Sequence, residues 1–266
     1  MIFIIVTTAI LIYAFLIEPY LLSVTHLNLY FNDLPLSFEN IKIAQISDIH
    51  FTRFIRLHYK VLDTLVKEKP DITVITGDFV NESLKITCKD FCKSIAEKSK
   101  YTLAVPGNWD HKVNDFSYFI KSISETGISL LVNSSTVFSK NGDRIFIAGT
   151  DDPYKKYADL KKTFRNIPQD AFVILLAHCP DIIYDATEYK PQLVLSGHTH
   201  GGQVKIPFIK ALYVPSKFGT RFLCGLFKIK NSYLYVNRGI GTSHLPIRFF
   251  SPPEITVITL HSKKSF

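Results

Sequence analysis

Seven residues able to offer an oxygen or an imidazole nitrogen to a cation recur along this chain, and each follows an apolar run. "IKIAQIS" leads to Asp48 and His50, and "DITVIT" to Asp78. "YTLAVP" leads to Asn108, "AFVILLA" to His178, and "PQLVLS" to His198 and His200. Any one alone reads as a hydrogen-bonded structural residue, or, for an Asp after a strand, as a helix cap. Together, at successive run ends, they read as one converging site. Mixed carboxylate, imidazole and amide donors suit Mn, Fe or Zn, with Mn favoured. Seven donors are too many for one tetrahedral ion and suit two ions sharing a carboxylate. Two divalent ions about 3.5–4 Å apart can clamp a phosphoryl group and hold a bridging hydroxide for in-line attack. Asp48/His50 and His198/His200 are each spaced i, i+2, which in extended backbone places both side chains on one side. Gly77, Gly107, Gly197, Gly201 and Gly202 allow close approach of backbone to metal and phosphate, and Gly201 and Gly202 are expected to give the substrate room.

The elements that must position these residues alternate. Short apolar runs are separated by helix-like stretches near 57–68, 84–99, 114–126 and 154–165. "STVFS" and "RIFIAG" are joined by "KNGD", a hairpin turn, and "ISLLV" before them is strand-like. "LFKIK", "SYLYVN" and "EITVITL" follow as antiparallel strands. The pattern predicts an α/β protein with a buried sheet and a second sheet packed on it. In such folds the loops at the carboxyl ends of the strands carry the site.

"MIFIIVTTAILIYAFLI" runs 17 residues without a charge before Glu18-Pro19. That is the short end of a membrane span. No Lys or Arg precedes Lys42 and no twin arginine is present, so an uncleaved anchor over 1–20 is favoured over a cleaved signal or a buried helix. With no basic flank, the positive-inside rule does not orient it. Residues 21–40 read as a connecting segment and 41–262 as the folded domain. Residues 201–266 carry ten Lys/Arg, from Lys205 and Lys210 to Lys264, against one acid, Glu254. This is either a solvated sheet surface or a surface for anionic lipid or an acidic substrate. No nucleic-acid module is evident. Cys88, Cys92, Cys179 and Cys224 fit no common zinc spacing and read as buried thiols.

"DIH", "GD", "GNWD", "AHCP" and "GHTHGGQ", in this order across residues 41–260, resemble the calcineurin-like metallophosphoesterase superfamily. The resemblance implies a four-layer α/β/β/α sandwich with a binuclear centre. It places Asp48, His50, Asp78 and His200 on one metal and Asp78, Asn108, His178 and His198 on the other. The ending "YVNRGIGTSHLPIRFFSPPEITVITL" resembles a membrane-associated or exported bacterial branch that includes enzymes similar to UDP-2,3-diacylglucosamine pyrophosphatase. The chain departs from the family at Trp109, where a His usually follows the motif Asn. His111, nearby, either reaches back into the site or is a surface residue, and with Asn108 it is the catalytic candidate. Arg53 and His244 are candidates for contact with substrate, and Gln203 reads as the start of the next strand. The expected activity is hydrolysis of a phosphoester or pyrophosphate bond, with a membrane or lipid-linked compound as preferred substrate. A soluble phosphodiester and a non-catalytic metal-stiffened scaffold are the competing readings.

Overall fold

The computed structural model describes residues 1–81, 84–206, 211 and 214–265. Two six-stranded sheets form its centre. The first holds β1 (Ser23–Phe31), β2 (Ile41–Ile46), β3 (Ile72–Thr76), β4 (Tyr101–Val105), β5 (Ser129–Leu130) and β12 (Glu254–Ser262), in the order β1-β12-β2-β3-β4-β5. The second holds β6 (Ser134–Lys140), β7 (Asp143–Gly149), β8 (Phe172–Leu176), β9 (Leu193–Ser196), β10 (Gly225–Ile229) and β11 (Ser232–Val236), in the order β10-β11-β9-β8-β7-β6. β2 to β5 are parallel, as are β7, β8, β9 and β11. The β6–β7 hairpin turns where "KNGD" predicts it, with Lys140 opposite Asp143.

Period-two alternation sets the layers. Ile72 and Val74 of β3 and Phe172, Ile174 and Leu176 of β8 face the space between the sheets. Their neighbours Ile75, on β3, and Val173 and Leu175, on β8, face outward onto helices. α2 (Arg56–Glu68), α3 (Lys89–Ala96) and α4 (Phe116–Ser124) cover the first sheet through Val61, Leu65, Phe91 and Phe119. α5 (Leu160–Phe164) and α6 (Ile183–Ala186) cover the second through Phe164, Ile183 and Ala186. The four-layer sandwich is therefore the observed architecture.

Three expectations change. Residues 21–40 do not merely connect: β1 pairs in parallel with β12 along its whole length, Ser23 opposite Glu254 and Phe31 opposite Ser262. Leu29 and Phe31 enter the inter-sheet core from it. The helix expected over 154–165 is only α5, because the Asp152 carboxylate accepts the Tyr154 and Lys155 amides in a turn and Asp159 caps the helix at the Lys162 amide. Three cysteines are buried, but Cys224 is only half-buried.

α1 (Ile2–Ile12) continues through one π turn and one 3₁₀ turn to Tyr20. Residues Ile2–Tyr20 form a single helix long and apolar enough to cross a membrane, with few of its residues buried.

His58 on α2 is buried among Phe51, Phe54 and Phe91, and its Nδ1 accepts the Ile55 amide. Burial lowers its pKa to about 4, against a hydrogen bond with the Arg53 backbone that favours the proton. An unfolded histidine titrates near 6.5, so between those values the unfolded chain binds the extra proton and stability rises with pH. The contribution is complete above pH 6.5 and is lost as pH falls toward 4. At pH 5 about 2 kcal/mol should already be gone. Urea unfolding at pH 7 and pH 5 should show a smaller acid loss in His58→Leu than in wild type by about that amount. Equal losses would disprove the assignment.

Candidate metal centre

The parallel strands of both sheets release their chains at one edge of the sandwich. β2 gives Asp48 and His50, β3 gives Asp78, and β4 gives Asn108. β8 gives His178, and β9 gives His198 and His200. Backbone hydrogen bonds latch these loops together, Asp48 N–H to Gly77 C=O, His50 N–H to Asp78 C=O and Gly197 N–H to His178 C=O. The buried Asp110 carboxylate accepts the amides of Asp78, Phe79, Val80 and Gly107, which ties the β3 loop to the β4 loop. Burial raises its pKa to about 8, the nearby Asp78 charge adding to the effect and two of these amides opposing it.

The backbone at the site is unusual. Asp48, His50, Asp78, His198 and His200 all have φ between 42° and 72°, the left-handed region that non-glycine residues seldom occupy. Such strain gathers where surrounding structure over-determines it for a function. It also overturns the extended-backbone reading of the two i, i+2 pairs. Asp48 and His50 still serve one cluster, with His200, but His198 turns to another, with Asp78 and His178. Within each cluster the three ligand atoms lie within 4.8 Å of one another. Gly197 fits because a Cβ there would overlap the Ser47 hydroxyl and the Asp48 carboxylate.

The hydrogen bonds fix what the imidazoles present. His50 Nδ1–H donates to Val80 C=O at 3.0 Å, and His178 Nδ1–H to Thr76 C=O at 2.7 Å. His198 Nε2–H donates to Pro215 C=O at 2.7 Å. Whenever one of these rings is neutral, its remaining nitrogen therefore aims a lone pair inward. His178 Nε2 faces His198 Nδ1 at 3.0 Å, Asn108 Oδ1 at 3.2 Å and Asp78 Oδ2 at 3.3 Å. His50 Nε2 faces His200 Nε2 at 3.2 Å and Asp78 Oδ2 at 3.5 Å, while His200 Nε2 is 3.4 Å from Asp48 Oδ1. Acceptors packed against acceptors are repulsive unless positive charge sits among them. Burial opposes a proton on His178, yet Asp78, Asp48 and Asp152 override it and push its pKa well up. Burial and the His178 charge hold His198 near 3, and burial and His50 hold His200 well down. Hard oxygen and imidazole donors around such a space fit two divalent cations.

A cavity of about 440 Å³ opens onto these residues. Asp78, Asn108, His198, His200, Gly202 and His244 line it. Gly201 does not; it packs on Ser251 and Arg238. Arg53 lines a neighbouring cavity of about 360 Å³ together with His50. His111 lines neither: its Nε2 bonds the Asp151 carboxylate and its ring stacks on Phe116 and Tyr157. The position beside Asn108 is filled by Trp109, against which His244 packs edge-on at 5.4 Å. Sequence reading missed Lys112, Tyr154 and Lys155 in the cavity wall, residues of short irregular turns with no periodic signal. It also undervalued Gln203, which starts no strand. Its amide donates to Ser243 C=O and Leu245 C=O and accepts the Ser243 amide, so it clamps the loop that roofs the cavity.

The calcineurin-like phosphoesterase family model matches residues 41–202. The chain is 32% identical over 256 residues to YkuE, an uncharacterised metallophosphoesterase of Bacillus subtilis, covering 94% of this chain and 89% of the relative. It is 29% identical over 309 aligned positions to the UDP-2,3-diacylglucosamine pyrophosphatase LpxG of Chlamydia trachomatis, covering 91% and 90%. The solved structure of TT1561 from Thermus thermophilus superposes with a TM-score of 0.52 at 12% identity, over 76% of this chain and 90% of that one. With the same strand-end residues gathered into two clusters, the chain belongs to the calcineurin-like phosphoesterases.

Proposed function

We propose that this chain is a membrane-anchored phosphoesterase that hydrolyses a phosphoester or pyrophosphate bond in a lipid-linked substrate such as UDP-2,3-diacylglucosamine. One observation carries the hydrolytic reading: Asp78 Oδ2 stands between the inward nitrogens of His50 and His178, one from each cluster. Asp48, His50, Asp78 and His200 would hold one divalent ion, and Asp78, Asn108, His178 and His198 the other, with Mn the metal of first choice. When bound, the pair supplies Lewis acidity toward the phosphoryl oxygens and an activated water. The chain's own residues do the rest. Lys112 and Lys155 bring positive charge to the cavity wall, and Gly202 and His244 border the space for the phosphate. Trp109, Val204, Pro215, Leu245 and Ile247 add apolar surface to that wall beside the polar Thr199, Gln203 and Ser243, which suits an amphipathic substrate.

The deciding measurement is kcat/KM with Mn²⁺ on UDP-2,3-diacylglucosamine and on a soluble aryl phosphodiester. A clear preference for the lipid is expected. A soluble diester turned over far better would overturn the lipid reading, and no turnover of either with two metals bound would favour a scaffold.

His111→Ala should leave turnover within a few-fold of wild type, because the ring is held by Asp151 away from the cavity. A loss beyond a hundredfold in kcat would restore His111 as the general acid.

A further inference from the structure

The N-terminal helix is built into the domain. Ala14, Glu18 and Pro19 are buried. Arg248 N–H donates to Ala14 C=O at 2.9 Å. The Glu18 carboxylate accepts the amides of Phe250, at 2.9 Å, and Ser251. The Tyr13 ring sits edge-on to Phe249. Ser251 Oγ then donates to the backbone carbonyl of His200 at 2.8 Å. The helix, the 248–251 loop and a residue of the metal centre are thus one connected structure, with β1 beginning only at Ser23.

The packing decides where that structure must sit. Among the described residues, Ile2–Tyr20 is the one helix long and apolar enough to cross a membrane. A helix that crosses the bilayer leaves its flanking residues at the headgroup level. With no free tether between helix and domain, the residues packed beside Glu18 are held at that level as well. Those residues are apolar and exposed. Phe250 is 53% exposed and stands on Phe249, and Leu245 is 61% exposed. Leu16, Ile17 and Leu21, on the helix and just past its end, are exposed as well.

The smaller cavity starts at the same place. Pro19 and Tyr20, at the end of the helix, line it together with His50 and Trp109. Trp109, Ser243, His244 and Leu245 are shared with the larger cavity.

We propose that the 244–250 loop is a second membrane contact, with Phe250 inserted at the headgroup level. The metal centre then opens at the bilayer surface, and the site takes a phosphorylated amphiphile from the membrane rather than from water. This rests on the anchored, hydrolytic reading above and adds where the substrate enters.

The test uses the full chain reconstituted in phosphatidylcholine–phosphatidylglycerol vesicles. Trp109 is the only tryptophan, so wild type gives the background for Phe250→Trp. Lipids brominated near the top of the acyl chains should quench Phe250→Trp well beyond wild type. Quenching no greater than wild type overturns the proposal, as does emission that ignores lipid but shifts on dilution, which would make the patch a contact with a second copy. In a parallel arm, Phe250→Asn, a residue that tolerates the φ of 55° here, should lose about tenfold in rate on vesicle-embedded UDP-2,3-diacylglucosamine and keep its rate on a soluble aryl phosphodiester. Unchanged rates on both overturn the proposal. If neither substrate is hydrolysed by wild type, the hydrolytic reading fails while the quenching arm still decides the membrane contact.

Discussion

Replacing Asp78 with asparagine is expected to lower turnover of every substrate by about three orders of magnitude, or about 4 kcal/mol of transition-state stabilisation. The reason is the commitment of its two oxygens. Oδ1 accepts the Trp109 amide at 2.8 Å, which fixes the side-chain rotation. Oδ2 is left to face His50 and His178. Asparagine can keep the first contact only by turning its NH₂ toward the two histidines, where a donor replaces an acceptor. The variant also removes the negative charge that lies between both clusters. Burial alone would disfavour that charge, but His178, His50 and the Trp109 amide hold the Asp78 carboxyl well below the usual range. Elemental analysis of the purified variant should find fewer than two equivalents of metal, which separates loss of the centre from loss of fold. Retention of more than a tenth of wild-type kcat with two metals bound would refute the bridging role.

The donors were legible because each follows a strand, and strands announce themselves by apolar runs of four to seven residues. Their partnership was less so. Spacing of i, i+2 places two side chains together only in extended backbone. Here the left-handed φ of Asp48, His50, His198 and His200 redirects each of them, and no propensity encodes that. β1 carried a readable signal, Leu27, Leu29 and Phe31 alternating with polar or exposed neighbours, but its pairing partner lies more than two hundred residues away at β12. His111 and Trp109 mark the opposite limit. Positions two apart in "GNWDH" give no hint that one ring lines the cavity while the other is tied to Asp151, a contact set by a loop forty residues on. Lys112 illustrates the same point, since its Nζ lies 3.2 Å from the Trp109 ring centroid through a single 3₁₀ turn.

The second large effect is expected at Arg248, where the basic composition of the last segment misleads. That residue counts toward the ten cations after Gly201, yet its side chain is fully buried and reaches no surface. Arg238 is likewise paired, with Glu254, so at least two of the ten cations are not free surface charge; Lys210 lies outside the described residues. Arg248 instead works as a staple. Its guanidinium donates to the carbonyls of Gly241, Ser251, Arg238 and Gly239. Three of those carbonyls, of Arg238, Gly239 and Gly241, lie on the segment whose Ile240 and Gly241 amides bond the backbone of Ser47 and Asp48. Burial lowers its pKa to about 10, which still leaves it charged at neutral pH, so below about pH 9 this contribution should not vary with pH. Arg248→Met keeps the volume but leaves the carbonyls of Gly241, Ser251 and Arg238 without their donor, while Gly239 C=O keeps the Glu254 amide. Each dry, unpaired acceptor costs about 1–3 kcal/mol, and relaxation and water recover part of that, so a net loss of about 3–5 kcal/mol is expected. Arg248→Lys should fall between the two, because one ammonium cannot spread its donors over four carbonyls as a planar fork does. Guanidinium unfolding of the three proteins measures this order directly, and Arg248→Met within about 1 kcal/mol of wild type would refute it. Since Ser251 also holds the His200 carbonyl, the same substitution should weaken metal retention in the fraction that still folds, linking a residue that touches no donor atom to the geometry of the centre.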